Sequence, residues 1–204
     1  MRSVIDVIIN YYISESLNRV LKDNGYVFVT ELVGCPLKYY LRKRYPSLSL
    51  QLNFNEKILL GKIVHEGIEA ILSRIEYMVD DIQVEVPVTR EVNGVTLVGR
   101  ADIVTSDAVV ELKTTRTLNG LPHDNHKLQA GIYANLLNKP RAILVYIVLN
   151  NETKILEYEV DPIDDDKLNE LIKQLKEKQP APRYPWECNY CIFKQFCPVR
   201  NNNA

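Results

Sequence analysis

The stretch VGRADIVTSDAVVELKTT, residues 98–115, carries the pattern that decides the fold. Apolar and polar residues alternate on both sides of Thr105-Ser106-Asp107, which predicts two antiparallel strands joined by a short connection. A hairpin that closes symmetrically about Ser106 and Asp107 sets Asp102 directly opposite Glu111. Directly opposed side chains share one face of a sheet, with Cβ atoms about 4.5–5.5 Å apart. The hairpin therefore predicts two neighbouring carboxylates.

Two carboxylates side by side repel each other, and a hard divalent cation relieves that repulsion by binding their oxygens. Lys113 shares the face of Glu111 because side chains alternate along a strand, and Arg100 is expected opposite Lys113. A lysine there can orient a water molecule or stabilise charge that develops on a phosphate. Two alternatives stay open: a solvent-facing polar edge, or a one-residue change of register that puts Asp102 on the opposite face.

The composition of the whole chain is that of an ordinary soluble globular protein. Its 204 residues are 46% hydrophobic and 25% charged, and the formal net charge is −1. The longest apolar run, residues 142–149, is too short to span a membrane, and the first residues lack a signal-peptide pattern. We therefore expect one domain over residues 1–204, in the cytoplasm and without a membrane partner. Nucleic-acid binding then requires a local basic patch.

The periodicity along the chain predicts an α/β fold. Segments with period two predict about five strands of a mixed sheet, at 82–90, 95–104, 108–115, 142–149 and 154–160. Apolar residues spaced by three and four predict helices around the sheet, at about 4–22, 37–46, 56–79, 124–138 and 163–178. The two chain ends are expected to form a metal-bound flap.

Two further pairs of residues are spaced one helical turn apart. His65 follows Gly61 by four residues on the long helix, and Tyr133 follows Gln129 by four on a later one. Imidazole is a good ligand for manganese and similar divalent metals, whereas Gln and Tyr can contact phosphate, sugar or base. Each residue also has a structural interpretation, as a hydrogen-bonded histidine, a polar contact and a packing aromatic.

The four cysteines indicate soft-metal ligation. Cys188, Cys191 and Cys197 lie within ten residues of one another, and Cys35 lies far upstream. A chain without an export signal rarely uses such spacing for disulfides. Four thiolates can hold either zinc or an iron–sulfur cluster. Structural zinc commonly uses two Cys-x2–4-Cys pairs, and this pattern has only one.

The segment that follows Cys35 is the most basic part of the chain. Residues 34–62 carry six basic side chains against one glutamate. Tyrosines alternate with the cations, which suits single-stranded DNA because cations contact phosphates and rings stack on bases. The candidate DNA-binding residues are Lys38, Tyr39, Arg42, Lys43 and Arg44. The alternative is a solvated helix with its tyrosines in the core.

The order of these motifs resembles the RecB-type nuclease branch of the restriction-endonuclease-like superfamily. The motifs are Gly61-x3-His65, Gly99-Arg100-x-Asp102, Glu111-x-Lys113 and Gln129-x3-Tyr133. With the four cysteines added, the chain resembles the CRISPR-associated Cas4 exonucleases, which are iron–sulfur nucleases of this type. The resemblance implies a mixed central sheet flanked by helices, with a cysteine-ligated cluster that joins the N- and C-terminal regions. The iron–sulfur subdomain is expected at about 28–46 and 180–200.

The resemblance also implies a role for each motif. The implied ligands of Mg²⁺ or Mn²⁺ are His65, Asp102, Glu111 and the backbone carbonyl of Leu112. Among these Asp102 and Glu111 are also catalytic, and Lys113 positions the attacking water. Gln129 and Tyr133 are expected to line the DNA path. Cys35, Cys188, Cys191 and Cys197 are the implied cluster ligands. A 4Fe–4S cluster is favoured, the ligand set also permits 2Fe–2S, and Cys₄ zinc is the alternative.

The expected function is a metal-dependent exonuclease acting on single-stranded DNA or frayed ends. Its implied role is processing DNA for capture of new CRISPR spacers, alongside the integrase complex, and the family is compatible with a homo-oligomer. One rival is a non-catalytic iron–sulfur or zinc DNA-binding module. Another is a RecB-type repair nuclease outside CRISPR. Because a cluster would join residues about 150 positions apart, its loss is expected to destabilise the domain first and reduce cleavage second.

Overall fold

The computed structural model describes residues 4–21, 25–51, 55–75 and 81–199. Seven helices are assigned there: α1 (Val4–Leu21), α2 (Val29–Leu32), α3 (Pro36–Arg44), α4 (Pro46–Leu50), α5 (Glu56–Ile75), α6 (Asp124–Leu136) and α7 (Asp165–Glu177). The strands are β1 (Val27–Phe28), β2 (Gln83–Val92), β3 (Val95–Val104), β4 (Ala108–Thr115), β5 (Arg141–Val148) and β6 (Lys154–Val160). Two 3₁₀ turns, Pro185–Tyr190 and Lys194–Phe196, follow α7. The predicted α/β class is confirmed.

The strands form one mixed sheet in the order β1-β3-β4-β5-β6, with β2 also paired to β3. The β4–β5 pair is parallel and is connected through α6, whereas β2–β3, β3–β4 and β5–β6 are antiparallel. Side chains of β5 alternate between fully and partly buried along its length. Both faces of this strand are therefore covered, as its nearly uninterrupted apolar sequence predicts.

Strand β3 has three neighbours, and their arrangement creates the opening in which the site lies. β2 pairs with β3 from the Val95 end to the Val104 end, with an interruption at Glu85. β1 and β4 must therefore share the other edge, β1 beside Leu97 and Val98 and β4 beside Ile103 and Val104. Among the described residues, the edge of β3 between these two contacts has no strand partner, which frees it for side-chain chemistry.

Local sequence signals account for several element boundaries. The β2–β3 hairpin turns at Asn93-Gly94, where both residues have positive φ (50° and 69°), as a tight two-residue turn requires. The side chain of Asp164 caps α7 by accepting a hydrogen bond from the Lys167 amide at 2.7 Å. The neighbouring acidic residues favour the positive end of the helix dipole. The predicted strand and helix positions are confirmed to within a few residues, whereas β1 and the short helices α2 and α4 are not among the predicted elements.

Part of the sequence prediction falls on residues that the structure does not describe. Residues 22 and 76–79, predicted as the ends of α1 and α5, lie outside the described ranges, as does residue 200 of the expected iron–sulfur subdomain. Within the described ranges, every helix is too short or too polar to cross a lipid bilayer.

Candidate active site

The hairpin of β3 and β4 has the predicted register but separates earlier than expected. Its ladder contains the pairs Ile103–Val110 and Val104–Val109 and ends before Asp102. The predicted pairings of Asp102 with Glu111 and of Arg100 with Lys113 are therefore wrong. The strands diverge because β1 occupies the same edge of β3 further along.

The gap between the diverging strands is filled by a side chain. The carboxylate Oδ2 of Asp102 accepts a hydrogen bond from the backbone N–H of Leu112 at 2.8 Å. This oxygen takes the place of a carbonyl acceptor from a neighbouring strand, so the buried amide keeps a partner. Asp102 is thereby fixed between the strands with its side chain 13% exposed.

A potential metal-binding group forms where helix α5 approaches Asp102. One ligand atom each of His65, Glu69 and Asp102 lies within 4.8 Å of the others. The Nδ1 atom of His65 is 3.7 Å from Oδ2 of Asp102. His65 and Glu69 are one helical turn apart and so face the same side of α5. His65 also hydrogen-bonds the backbone of Leu112, the residue whose carbonyl was implied as a ligand.

The electrostatic environment favours the neutral, ligating form of His65. Burial lowers the pKa of this imidazole, and the positive charge of Lys113 lowers it further. The carboxylate of Asp102 opposes the effect of burial without reversing it. A neutral imidazole has a lone pair available for a cation, whereas a protonated one has none.

Glu111 is the most deeply buried acidic group of the site, with 2% of the residue exposed. Its Oε1 accepts hydrogen bonds from Lys113 Nζ at 2.5 Å and from Gln129 Nε2 at 2.6 Å. Its Oε2 is buried and has no hydrogen-bond partner in the described part of the chain. Burial raises the pKa of Glu111 to about 7, which the Asp102 charge reinforces and Lys113 opposes. A buried carboxylate oxygen without a partner is costly, and a cation could satisfy it.

Two acidic residues of the site were missed from the sequence. The pKa of Glu69 is raised to about 7 by burial, by a hydrogen bond with Glu85 and by the charges of Glu85 and Asp102. Glu85 interrupts the β2–β3 ladder between the pairs of Val84 and Val86, has φ 57°, and forms an ion pair with Arg100. The spacing His65-x3-Glu69 could have found the first residue. The second residue, Glu85, could not have been found, because no sequence pattern indicates that a glutamate within a strand has a left-handed backbone.

Two glycines allow the helices to approach the site. A Cβ atom at Gly61 of α5 would lie 2.9 Å from Oγ1 of Thr114 on β4. A Cβ atom at Gly99 of β3 would lie 2.8 Å from the ring of Tyr133 on α6. The close packing at Gly61 brings the helix that carries His65 onto the strand that carries Lys113.

The structure gives Gln129 and Tyr133 contacts inside the protein. Gln129 is 8% exposed and donates to Glu111, so it orients that carboxylate. Tyr133 is 3% exposed, and its hydroxyl accepts a hydrogen bond from the Arg100 amide at 3.2 Å. Their contact with DNA stays a prediction. Their visible effect is to hold the two acidic strands in position.

The four cysteines converge although they come from opposite ends of the chain. Cys35, Cys188, Cys191 and Cys197 line one cavity of about 300 Å³. Burial is the main cause that raises the pKa values of the Cys35 and Cys191 thiols. The donor set and the size of the cavity fit a thiolate-bound metal group.

A carboxylate beside the cysteine cavity ties the chain ends together. Glu187 is 4% exposed, and its Oε1 accepts a hydrogen bond from the Cys35 amide at 2.7 Å. Its Oε2 accepts from the amides of Arg183 and Tyr184 at 2.9 and 3.0 Å. The Nε of Arg183 donates to the carbonyl of Gly34 at 3.1 Å. The ends are therefore joined by protein contacts as well as by the cysteines.

The basic helix α3 has a different aromatic arrangement from the one predicted. Tyr39 is buried, with 9% exposed, and Lys43 lies over its ring at 4.5 Å from the centroid. Tyr39 is thus a core residue, as the alternative interpretation had it, and does not offer its ring to a base. Arg42 pairs with Glu31, and Lys38 lines the cysteine cavity.

The fold and the acidic site define a class of nuclease. The sequence model of the PD-(D/E)XK nuclease superfamily matches residues 73–198, which contain Asp102, Glu111 and Lys113. This match spans more than half of the chain, so the chain belongs to that superfamily.

A curated relative places the chain more narrowly. This chain is 33% identical over 207 residues to the CRISPR-associated exonuclease Cas4 of Saccharolobus solfataricus. The match covers 97% of this chain and 98% of that protein. The chain is therefore a member of the Cas4 family, as the order of its motifs predicts.

Solved structures agree with this assignment. The crystal structure of SSO0001 matches with a TM-score of 0.87 at 32% identity and covers 98% of both chains. The alkaline exonuclease LHK-Exo from Laribacter hongkongensis matches with a TM-score of 0.51 at 12% identity, over 76% of this chain and 86% of that one. This second likeness shows a common fold.

Proposed function

We propose that this protein is a divalent-metal-dependent DNA exonuclease that acts on single strands or frayed ends. The observation that carries the proposal is the Glu111 carboxylate, which is buried beside Asp102 and Lys113 with one oxygen lacking a hydrogen-bond partner among the described residues. A fold gains nothing from such an oxygen unless another group binds it. The class of the chain, a PD-(D/E)XK nuclease, fits this chemistry.

The residues present fit a hard divalent cation. His65, Asp102, Glu111 and the carbonyl of Leu112 would hold Mg²⁺ or Mn²⁺, and Glu69 is a further oxygen donor in the same group. Carboxylate and carbonyl oxygens suit Mg²⁺, and an added imidazole suits Mn²⁺. Such an ion supplies a water of lowered pKa and polarises the scissile phosphate.

The chain's own groups then complete the site. Lys113 projects an ammonium group beside Glu111, where it can hold the attacking water and stabilise negative charge on the phosphate. Gln129 fixes the Glu111 carboxylate through its Oε1 and leaves Oε2 available. Asp102 is held between the strands by the Leu112 amide. Each acidic group is thus oriented by a neighbour, as an active site requires.

We propose an iron–sulfur cluster, 4Fe–4S rather than 2Fe–2S, at the four cysteines, within a subdomain of about 28–46 and 180–200. The convergence of four thiols on one cavity supports a thiolate-bound group. The single Cys-x2-Cys pair favours a cluster over zinc. Metal analysis and the visible absorption spectrum of anaerobically purified protein test this assignment.

The family supports a cellular role in CRISPR adaptation. We propose that the protein, acting in the cytoplasm, trims DNA for spacer capture alongside the integrase complex. The support is its similarity to a relative whose name is that of a CRISPR-associated exonuclease. A repair nuclease outside CRISPR would use the same site, and co-purification with the integrase proteins distinguishes the two roles.

The testing experiment is cleavage of end-labelled single-stranded DNA with Mg²⁺, with Mn²⁺ and with EDTA. We expect metal-dependent degradation that is lost in the Glu111→Ala variant. Glu157→Ala, at an exposed glutamate of β6, is the matched control and keeps full activity. Binding of DNA without cleavage by the wild type, with its metal groups intact, would replace the nuclease by a non-catalytic binding module.

A further inference from the structure

The cysteine segment near the C-terminus exposes large aromatic side chains. Trp186, Tyr190 and Phe196 are 46%, 80% and 46% exposed. Each lies one or two residues from a cysteine of the cavity, namely Cys188, Cys191 and Cys197. The three rings, here called the aromatic rim, are thus next in sequence to residues that line one cavity. Exposed aromatic clusters of this kind commonly mark a binding surface.

One ring of the rim is held in a defined orientation by its neighbour. The indole of Trp186 stacks on the ring of Tyr184, with centroids 5.8 Å apart and planes inclined by 9°. Nearly half of Trp186 stays exposed although the stack covers one of its faces. A flat ring that is already fixed loses little entropy when a second flat group stacks on it.

The aromatic rim borders a strongly cationic helix. The ring of Phe196 packs on Tyr45, which directly follows α3, at a centroid distance of 4.5 Å. Helix α3 carries four basic residues, Lys38, Arg42, Lys43 and Arg44, and no acidic residue. Lys38 and Lys194 both line the cysteine cavity. On a chain of net charge −1, this concentration of cations beside exposed rings complements a polyanion that has flat bases.

We propose that the aromatic rim is the base-stacking surface of this protein for single-stranded DNA, with α3 contacting the phosphates beside it. The inference rests on the proposed function and adds the surface that would guide a strand. The sequence pattern assigns both base stacking and phosphate contact to α3, whereas this inference assigns stacking to the aromatic rim and phosphate contact to α3. The rings of α3 are unsuited to it, since Tyr39 is buried and the hydroxyl of Tyr40 donates to the carbonyl of Leu175 at 3.2 Å.

The experiment compares two oligonucleotides of equal length, oligothymidylate and its abasic analogue, by fluorescence anisotropy in EDTA, where no cleavage occurs. Stacking requires bases, so the wild type should bind oligothymidylate more tightly. The Trp186→Ala/Tyr190→Ala variant should lose about tenfold or more in affinity for oligothymidylate and keep its affinity for the abasic strand. Tyr11→Ala, at a tyrosine of α1 that is 53% exposed, is the control and should behave as wild type.

Two further measurements separate stacking from charge and from folding. Trp186 is the single tryptophan of the chain, so its emission should change on addition of oligothymidylate and not of the abasic strand. Arg44→Ala should flatten the salt dependence of binding, whereas the rim variant should not. Trp186→Phe/Tyr190→Phe retains the rings and should bind like wild type even where truncation to alanine impairs folding.

The outcomes distinguish this inference from the proposed function. Equal affinity of the wild type for the two strands, or an unchanged preference in the rim variant, would overturn the stacking surface. Cleavage of single-stranded DNA by the same wild-type preparation would then leave the nuclease assignment standing. A wild type that neither binds nor cleaves single strands would instead remove the proposed function.

Discussion

Replacing Glu111 by glutamine should make the metal-free protein more stable while abolishing its activity. Glu111 is 2% exposed, and burial raises its pKa from 4.5 to about 7. The native carboxyl therefore holds its proton more tightly than the unfolded one. Its contribution to the free energy of unfolding is full below about pH 4.5 and is lost as the pH rises through about 7.

The size of this effect follows from the two pKa values of Glu111. Their difference corresponds to about 3 kcal/mol of unfolding free energy at pH values above both. The ion pair with Lys113 is already included, because it opposes the rise in pKa. Glu111→Gln keeps the Oε1 acceptor for Lys113 and Gln129 and removes the charge. In EDTA at alkaline pH, we expect the free energy of unfolding of the variant to exceed that of the wild type by up to about 3 kcal/mol.

The assay is urea unfolding in EDTA at an acidic and an alkaline pH, with Glu157→Gln on β6 as an exposed control. The difference between variant and wild type should be small near pH 4.5 and grow toward pH 8. Mn²⁺ in excess of the EDTA should then stabilise the wild type by mass action, and should stabilise the variant less because it lacks one carboxylate ligand. The reasoning would be refuted by a variant that is less stable than the wild type at alkaline pH in EDTA. A difference in unfolding free energy that does not change with pH would refute it as well.

Three other substitutions test separate features. Glu187→Gln removes one of the two carboxylate oxygens that together accept hydrogen bonds from three backbone amides. It should lower the unfolding free energy by about 1–3 kcal/mol and reduce the metal content per chain. If neither value changes, Glu187 does not bridge the chain ends. Gly99→Ala brings a Cβ to 2.8 Å from the Tyr133 ring and should cost about 1–3 kcal/mol in urea unfolding, and a neutral result would refute the close packing. The pKa of His126 is lowered from 6.5 to about 3, chiefly by burial, so the unfolded chain takes up its proton first on acidification. When the pH falls from about 7 to about 5, the free energy of unfolding of the wild type should decrease by about 2 kcal/mol more than that of His126→Gln in urea unfolding. Equal decreases would exclude a buried neutral imidazole.

The sequence predicts best what depends on neighbours along the chain. The register of Ile103 with Val110 follows from alternation around a short turn, and it is confirmed. The separation of Asp102 from Glu111 could not be predicted, because it depends on β1, a two-residue strand about 70 positions earlier that occupies the same edge of β3.

The acidic site shows the same distinction. Glu69 was within reach of sequence analysis, since it follows His65 by one helical turn. Glu85 lies in the site because its backbone is left-handed, with φ 57°. Such a conformation depends on tertiary contacts and could not be predicted from the sequence. Tyr39 was assigned to DNA because aromatic and basic residues alternate there, and the fold uses the ring for its core.

The hydrogen bond from Cys35 to Glu187 also has a consequence for biosynthesis. The two residues are 152 positions apart, so Cys35 leaves the ribosome long before its partner exists. The strands and helices of residues 81–177, which include Asp102 and Glu111, are synthesised in that interval. The cysteine cavity can close only once the last helix and the segment after it have emerged. Metal loading at that cavity would therefore report that synthesis of the nuclease core is already complete.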